Sequence, residues 1–496
     1  LLSYCASQYL FGETLLTKDK TFRNAALWTT YLTCLDQIVL GQGSHIGSDM
    51  PFAAATLLFL MAFEAYRRKP SFQTAIILGA VLGLSFNLKY STIFLVVFTL
   101  VGITVVFIAG SFRAKSLSFT RFLAPFGHLL LIGILITILV DTAYGFREIG
   151  LTFSDKIWYS SLFKSIATKI PHLPLPWPLP FVAGFDHQLA VERTWSWSSI
   201  LLGKEFPSGV WYYFPLVWLL KTPIVIIGAI LLSICLGITK IRELRGNAPF
   251  MVTLALFTYL IVYFCFVFRT QVGIRYTLMC IPLGYLMVGY ILSIGLRKID
   301  QIIVSAVILI GFGYEALPYF GNNLSFTNSF LRDKSKAYAW ITDSNIDWFH
   351  NYTRSKAVAA AKIGSFYFNP RHLLPGNNLF TINTLAGVMR NFDQHSWIRK
   401  NLTPKGQFGY TLIWFDADKS TFDRFINEAR VYTQPPAATT ICPPDRNYKH
   451  IDNGKSVEFS GTWEKPMLYT GCIKVTEPTL LELNITQGYG SFGSYP

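Results

Sequence analysis

Apolar runs recur along most of the first 320 residues, separated by short polar connections. They fall at about 25–42, 52–66, 73–88, 90–110, 122–141, 213–239, 249–268, 276–296 and 301–320. A further apolar piece occupies residues 1–13, so the pattern predicts nine spans and a remnant. Runs of about 20 apolar residues are long enough to cross a ~30 Å hydrocarbon core. Residues 52–63 are short for a span, and 73–110 must supply two helices around Asn87-Leu88-Lys89, unless one long helix buries Lys89 in lipid.

Beyond residue 320 the chain turns polar. Strands are predicted at 363–368, 379–384, 411–416, 469–475 and 479–486, with helices near 346–361 and 420–429. The fold class is therefore mainly α, a polytopic helical bundle (residues 1–320) followed by a small α/β domain (321–496). The long connection at 142–212 is structured in its own right. Residues 155–170 set Ile157, Trp158, Leu162, Phe163 and Ile166 against Lys156, Lys164 and Lys169, the pattern of a helix lying in the membrane interface. "PHLPLPWPLP" (171–180) is a stiff extended segment.

Composition agrees with this division. Hydrophobic residues make up 52% and charged residues 14%, with a mean hydropathy of +0.38; soluble domains carry about 25% charge. The 43 basic against 28 acidic residues read as topology and lipid contact, because no basic and aromatic face suggests a nucleic-acid partner. Basic clusters occupy every second connection: Lys18, Lys20 and Arg23; Arg67, Arg68 and Lys69; Arg113, Lys115 and Arg121; Lys240, Arg242 and Arg245; Arg297 and Lys298. The positive-inside rule places these in the cytoplasm. Asp49, Lys89, the 142–212 connection, "FRTQVGIRY" and everything after 320 then lie outside. The sequons at Asn323, Asn351, Asn401 and Asn484 all fall in that outer part.

Of seven cysteines, Cys5, Cys34, Cys235, Cys265 and Cys280 sit in apolar runs. Cys442 and Cys472 lie in the polar part and suit a disulfide if it faces an oxidising compartment. No CxxC or His-rich spacing indicates a metal. The chain begins inside an apolar segment without an initiator Met, and reads as a fragment of a longer protein.

Several ionisable groups fall on the outer face. Asp36 sits within a span, Asp49 starts one, Lys89 lies at a helix–helix turn, Lys221 lies near a span end, and Arg269 and Arg275 flank a short turn. Each has a plain structural reading: Asp49 before Met50-Pro51 fits a helix start, and the cations fit snorkelling anchors. Together they place cations on the face that normally lacks them. Such a cluster suits a lipid phosphate, bound by charge-assisted bonds, with a carboxylate for a hydroxyl that must lose its proton. Trp195, Trp197, Trp211, Tyr212, Tyr213 and Tyr276 fit either an aromatic belt or sugar stacking.

Five motifs in order resemble one family. They are "DQIVLGQGSHIGSDMPFAAATLLFLMAFEAYRR", "GAVLGLSFNLKYSTIFLVV", "LLGKEFPSGVWYYFPLVWLLKTP", "VGIRYTLMCIPLGYLMVG" and "ITDSNIDWFHNYTR". The chain resembles integral-membrane GT-C glycosyltransferases of the group that includes protein O-mannosyltransferases and the aminoarabinose transferase of lipid A. The resemblance implies an inverting transfer of a sugar from polyprenyl phosphate to a hydroxyl on a protein, lipid or glycan, needing no nucleotide and no certain cofactor. It implies that Asp49 helps form the site, that Lys89 and Arg275 hold the donor phosphate, and that Arg269 and Lys221 are weaker candidates for the same cavity. The proton acceptor would sit in a loop before residue 1. A bacterial inner membrane with a periplasmic C-terminal domain is the expected setting. Departures are Gln37, Ile38 and Gln42 where the family often has Pro-Asn and His, Met279-Cys280 after the Arg-Tyr pair, and "DWFHN". A scaffold or sensor keeping a transferase fold, or a transporter, are the alternatives; the absence of internal repeats weighs against the last.

Overall fold

The computed structural model describes residues 1–12, 20–114, 119–194, 198–388 and 392–429. Lys18, Lys115, Trp195, Trp197, the expected strands at 469–475 and 479–486, Asn484, Cys442 and Cys472 lie outside these residues.

Apolar composition produces helices almost throughout the first part. In chain order these are α1 (Leu2–Gly12), α2 (Lys20–Leu35), α3 (Gln37–Gly43), α4 (Asp49–Arg68), α5 (Phe72–Leu88), α6 (Thr92–Ala114), α7 (Phe119–Ala143), α8 (Ser161–Lys169) and α9 (Leu179–Thr194). A small hairpin, β1 (Ser199–Leu201) and β2 (Lys204–Phe206), precedes α10 (Tyr213–Lys221), α11 (Ile224–Thr239), α12 (Ile241–Gly246), α13 (Ala248–Val262), α14 (Cys280–Gly295) and α15 (Lys298–Ala316).

Fewer of these helices are long enough to cross a membrane than the nine predicted. Among the described residues four qualify, over Asp49–Arg68, Ala124–Ala143, Ala248–Val267 and Lys298–Tyr319. A fifth arises if α10 and α11 form one broken span; they meet at 118°. The helices over Phe72–Leu88, Thr92–Ile108 and Cys280–Gly295 are apolar but shorter. The breaks have local causes. Asp36 does not ride inside a span: its carboxylate caps α3, accepting from the N–H groups of Ile38 (2.7 Å) and Val39 (2.9 Å), and so ends the run at 25–42. Pro223 has no N–H to continue α10, and the chain turns there. Residues 73–110 do form two helices, with Lys89 in extended conformation at the end of α5.

Helix α14 is buried nearly all round and forms the centre of the bundle against α2, α11 and α13. Its Gly289 is what lets α2 approach: a β-carbon there would stand 2.6 Å from Thr29 Oγ1 and 2.8 Å from the Thr29 backbone nitrogen. At the far end of α4, Glu64 is fully buried and ties Arg67 and Arg68, each at 2.7 Å. About 30 Å of helix separates that end from Asp49.

The expected interfacial helix is shorter than the sequence suggests. Only Ser161–Lys169 is helical, and its hydrophobic residues split. Trp158 and Phe163 pack inward on Phe153, while Ile157 and Leu162 are exposed.

The polar part contains α16 (Tyr352–Ile363), β3 (Tyr367–Phe368), β4 (Gly376–Thr381), α17 (Ile382–Ala386), α18 (Ser396–Asn401), β5 (Gly406–Phe408), β6 (Leu412–Ala417) and α19 (Lys419–Glu428). The strand order is β3-β4-β6-β5, parallel at β3/β4 and antiparallel elsewhere, with Phe380 opposite Ile413. Phe380, Ile413 and Phe415 join the main hydrophobic core, whereas Leu379 and Leu412 pack into a smaller cluster with Ala359 and Phe408. Strand β5 was not anticipated, and the predicted strand at 379–384 gives way to α17 after Thr381. The sequon residue Asn351 is buried and spends its amide on Gly409 O (2.6 Å) and Asn322 Oδ1 (2.9 Å), whereas Asn401 is exposed.

Candidate functional site

Asp49 is the first residue of α4, but it does not cap the helix. Ser48 occupies the cap position, and the Asp49 carboxylate turns instead to Lys89 on the α5–α6 turn. Lys89 Nζ bonds Asp49 Oδ1 directly, and Arg275 Nη1 stands 3.9 Å from Oδ2. All three side chains are mostly buried, with exposures of 16%, 19% and 26%. Lys89 and Arg275, 40 and 226 positions along the chain from Asp49, thus bring two cations onto one carboxylate, leaving a net charge of +1 on the triad.

The triad lies on the wall of a cavity of about 600 Å³, within the size range of small-ligand sites. Tyr276 lines it below both cations: Lys89 Nζ is 5.4 Å and the Arg275 guanidinium 5.1 Å from the ring centroid. From the polar domain, Trp348 reaches in and stacks on Arg275 at 4.1 Å. Helix α9 contributes Phe185, Gln188, Leu189 and Glu192, and a π-turn at Tyr263–Val267 contributes Tyr263 and Phe264. Gln42 and His45 complete the side nearest α3. Among the described residues, Arg275 Nε and Gln42 Nε2 at the site are buried donors without a partner. An unmet buried donor costs about 1–3 kcal/mol, so an oxygen-rich ligand would be welcomed there.

Lys221 is not in this cavity. It is 1% exposed, and its ammonium group donates to the carbonyls of Leu324 (2.6 Å) and Asn345. Its role is structural, and so is that of Tyr213, whose hydroxyl accepts from Asn345 Nδ2 at 2.9 Å. Asn345 Oδ1 accepts from the backbone of Ile274 at 2.8 Å, and Ser344 Oγ donates to Val272 O at 2.7 Å. Gly273 is needed for this approach, since a β-carbon would lie 2.0 Å from Ser344 Oγ. Segments 213–221, 272–275 and 343–345 therefore form one hydrogen-bonded knot that positions Arg275. Asp343 begins the last segment with φ of 61°, held by a bond from its N–H to Asn383 Oδ1 (2.7 Å).

Other expected residues are also placed apart. Arg269 is exposed and does not line the cavity. Trp211 is 59% exposed and lies parallel to Phe266, and Tyr212 precedes α10. Of the six aromatic residues considered for sugar stacking, Trp195 and Trp197 lie outside the described residues, and of the other four Tyr276 alone lines the cavity.

In the polar domain beside the site, burial raises the carboxyls of Asp343 and Asp347 to about 6. Burial also depresses His350 to about 4, helped by nearby His45, whose ring is 5.5 Å away.

Glu192, Gln42, His45 and Trp348 were not singled out from sequence as site residues. The i, i+3, i+4, i+7 spacing of Phe185, Gln188, Leu189 and Glu192 was a readable sign of one helix face. Among the described residues no cluster of three or more His, Cys, Asp or Glu could hold a metal ion.

Comparison with protein-family models, curated proteins and solved structures finds no match for this chain.

Proposed function

We propose that this multi-pass membrane protein is an inverting glycosyltransferase that uses a polyprenyl-phosphate sugar. The observation that carries the reading is the meeting of Lys89 and Arg275 on Asp49 at the wall of the 600 Å³ cavity. The two cations gathered at one wall complement a singly charged lipid phosphodiester. On binding, the phosphate oxygens compete with Asp49 for the two cations. As the anomeric bond breaks, the leaving phosphate gains negative charge, and the same cations stabilise it. Preorganised groups of this kind contribute a few kcal/mol each to catalysis. The aromatic walls and the unpaired Gln42 amide suit a sugar, which offers both C–H faces and hydroxyls. The acceptor is a hydroxyl on a protein, lipid or glycan. The basic clusters at the opposite helix ends support a site on the outer leaflet, with a bacterial inner membrane and a periplasmic polar domain as the setting.

The test is transfer of label from a panel of radiolabelled polyprenyl-phosphate sugars in membranes containing the full-length protein. Label should leave the lipid fraction for one donor. Retention of label on the lipid with every donor would reject the proposal.

A further inference from the structure

In a single displacement the attacking and departing oxygens lie on opposite faces of the anomeric carbon. The group that takes the acceptor's proton must therefore stand on a different wall from the cations that hold the phosphate. Asp49 fails this requirement. Its two oxygens face Lys89 and Arg275, so it stands on the same wall as the cations.

The cavity presents a second carboxylate. Glu192 lies near the end of α9, on the face formed with Phe185, Gln188 and Leu189, and is half-buried. Tyr263 Oη donates to Glu192 Oε1 at 3.2 Å, which orients the group at the wall. The cations enter from the α5–α6 turn and the 274–277 turn, whereas Glu192 enters from α9. The two chemistries thus come from separate elements around one space.

We propose that Glu192 is the proton acceptor for the sugar acceptor's hydroxyl. The assignment rests on the glycosyl-transfer reading above, and differs from the family resemblance, which would put this group before residue 1. In the step, the acceptor oxygen forms a bond to the anomeric carbon and its proton passes to the Glu192 carboxylate. The bond from that carbon to the phosphate oxygen breaks, and its electron pair stays on the phosphate beside Lys89 and Arg275. The products are an inverted glycoside, the lipid phosphate and protonated Glu192, which returns its proton to water.

The experiment uses the full-length protein in membranes with its lipid-linked sugar donor. Donor binding, transfer rate between pH 5 and 9, and thermal stability are measured for Glu192→Gln, Tyr263→Phe and Asp49→Asn. Glu192→Gln should lose on the order of 10²-fold or more in turnover, keep donor binding and stability, and abolish the acidic limb of the pH profile. Tyr263→Phe removes a donor to the carboxylate and should move that limb to higher pH. Among the described residues, the other charged or titratable groups facing the cavity are Asp49, Lys89, Arg275, His45, Tyr90, Tyr263 and Tyr276. Asp49→Asn should slow transfer yet keep the limb, which separates the two carboxylates. Should Glu192→Gln fail to fold, the Tyr263→Phe shift decides. Turnover of Glu192→Gln within about threefold of the parent, parallel loss of donor binding, or an unmoved limb in Tyr263→Phe would overturn the assignment alone. A parent protein that transfers from no lipid-phosphate donor would overturn the glycosyl-transfer reading, and this assignment with it.

Discussion

The guanidinium of Arg275 stacks on the indole of Trp348 at 4.1 Å, so that a cation of the helical bundle is covered by the polar domain. Arg275 has the same bundle-to-domain dependence through its backbone, since Asn345 of the polar domain accepts from Ile274. Residues of the polar part, Trp348 and Asn345, therefore help complete the site.

Trp348→Ala should loosen Arg275 without unfolding either part, because the indole is 37% exposed. Cation–π stacking is worth about 0.5–2 kcal/mol, so donor affinity should fall about 2- to 30-fold. Equilibrium binding of a lipid-linked sugar, with a melting curve as control, measures it. Unchanged affinity would mean that the stack does not set the position of Arg275.

Lys89→Ala and Arg275→Ala should each lower kcat/KM for the donor on the order of 10²–10³-fold, the scale for removing one preorganised electrostatic group. The two effects should not add. Either variant leaves Asp49 with one cation, and phosphate with a weakened site, so the second loss acts on a different arrangement. Asp49→Ala frees both cations and should lower turnover with less effect on donor affinity. Steady-state transfer kinetics for the three variants provide the measurement. Near-parental transfer by all of them would reject the site.

Much of this arrangement could be read before the structure. Apolar runs located the helices because a membrane admits few alternatives to helical hydrogen bonding, and Lys89 was placed at a turn because the alternation of basic clusters calls for two helices over 73–110. Asp49, Lys89 and Arg275 were picked out and do meet. Lys221 was misread because a buried ammonium and a phosphate-binding one look alike in sequence. Its partners are carbonyls 103 and 124 residues away. The Asp36 break was legible in principle as an N-cap, but an acid inside an apolar run invited a functional reading. Strand β5, three residues long, has too little alternation to stand out. Glu192 was missed because it belongs to a helix whose partner surface exists only after folding.

The knot around Asn345 yields a stability prediction that separates structure from chemistry. Asn345→Ala strips hydrogen bonds from Ile274 N–H, Tyr213 Oη and Thr342 O together. With unmet buried groups costing about 1–3 kcal/mol each, a loss of about 2–4 kcal/mol is expected, seen as a lower unfolding midpoint in detergent. Lys221→Met also leaves two carbonyls unpaired, but it removes a buried charge, so its loss should be smaller. Below the unfolding temperature Lys221→Met should keep the parental donor KM. A KM rise comparable to that of Lys89→Ala would return Lys221 to the phosphate site.

Asp347 and His350 give opposite pH dependences, and substitution separates them. Burial holds the Asp347 carboxyl at about 6, against 3.8 for an ordinary one, although Tyr352 Oη (2.5 Å) and the Phe349 N–H (3.0 Å) both donate to it. The folded state thus binds this proton more tightly than the unfolded chain. Its contribution is complete below pH 3.8 and is lost as pH rises through 6. At 2% exposure the full difference is up to about 3 kcal/mol. For His350 the folded value near 4 lies below the ordinary 6.5, so its contribution is complete above 6.5 and lost as pH falls toward 4. Between pH 4 and 6 the two slopes oppose. Asp347→Asn, which keeps the neutral form at every pH, should become progressively more stable than the parent as pH rises from 4 to 6.5. His350→Gln should gain on the parent as pH falls over the same range. Unfolding midpoints at pH 4, 5, 6 and 7 check both, and curves parallel to the parent's would show that neither group is desolvated as the fold requires.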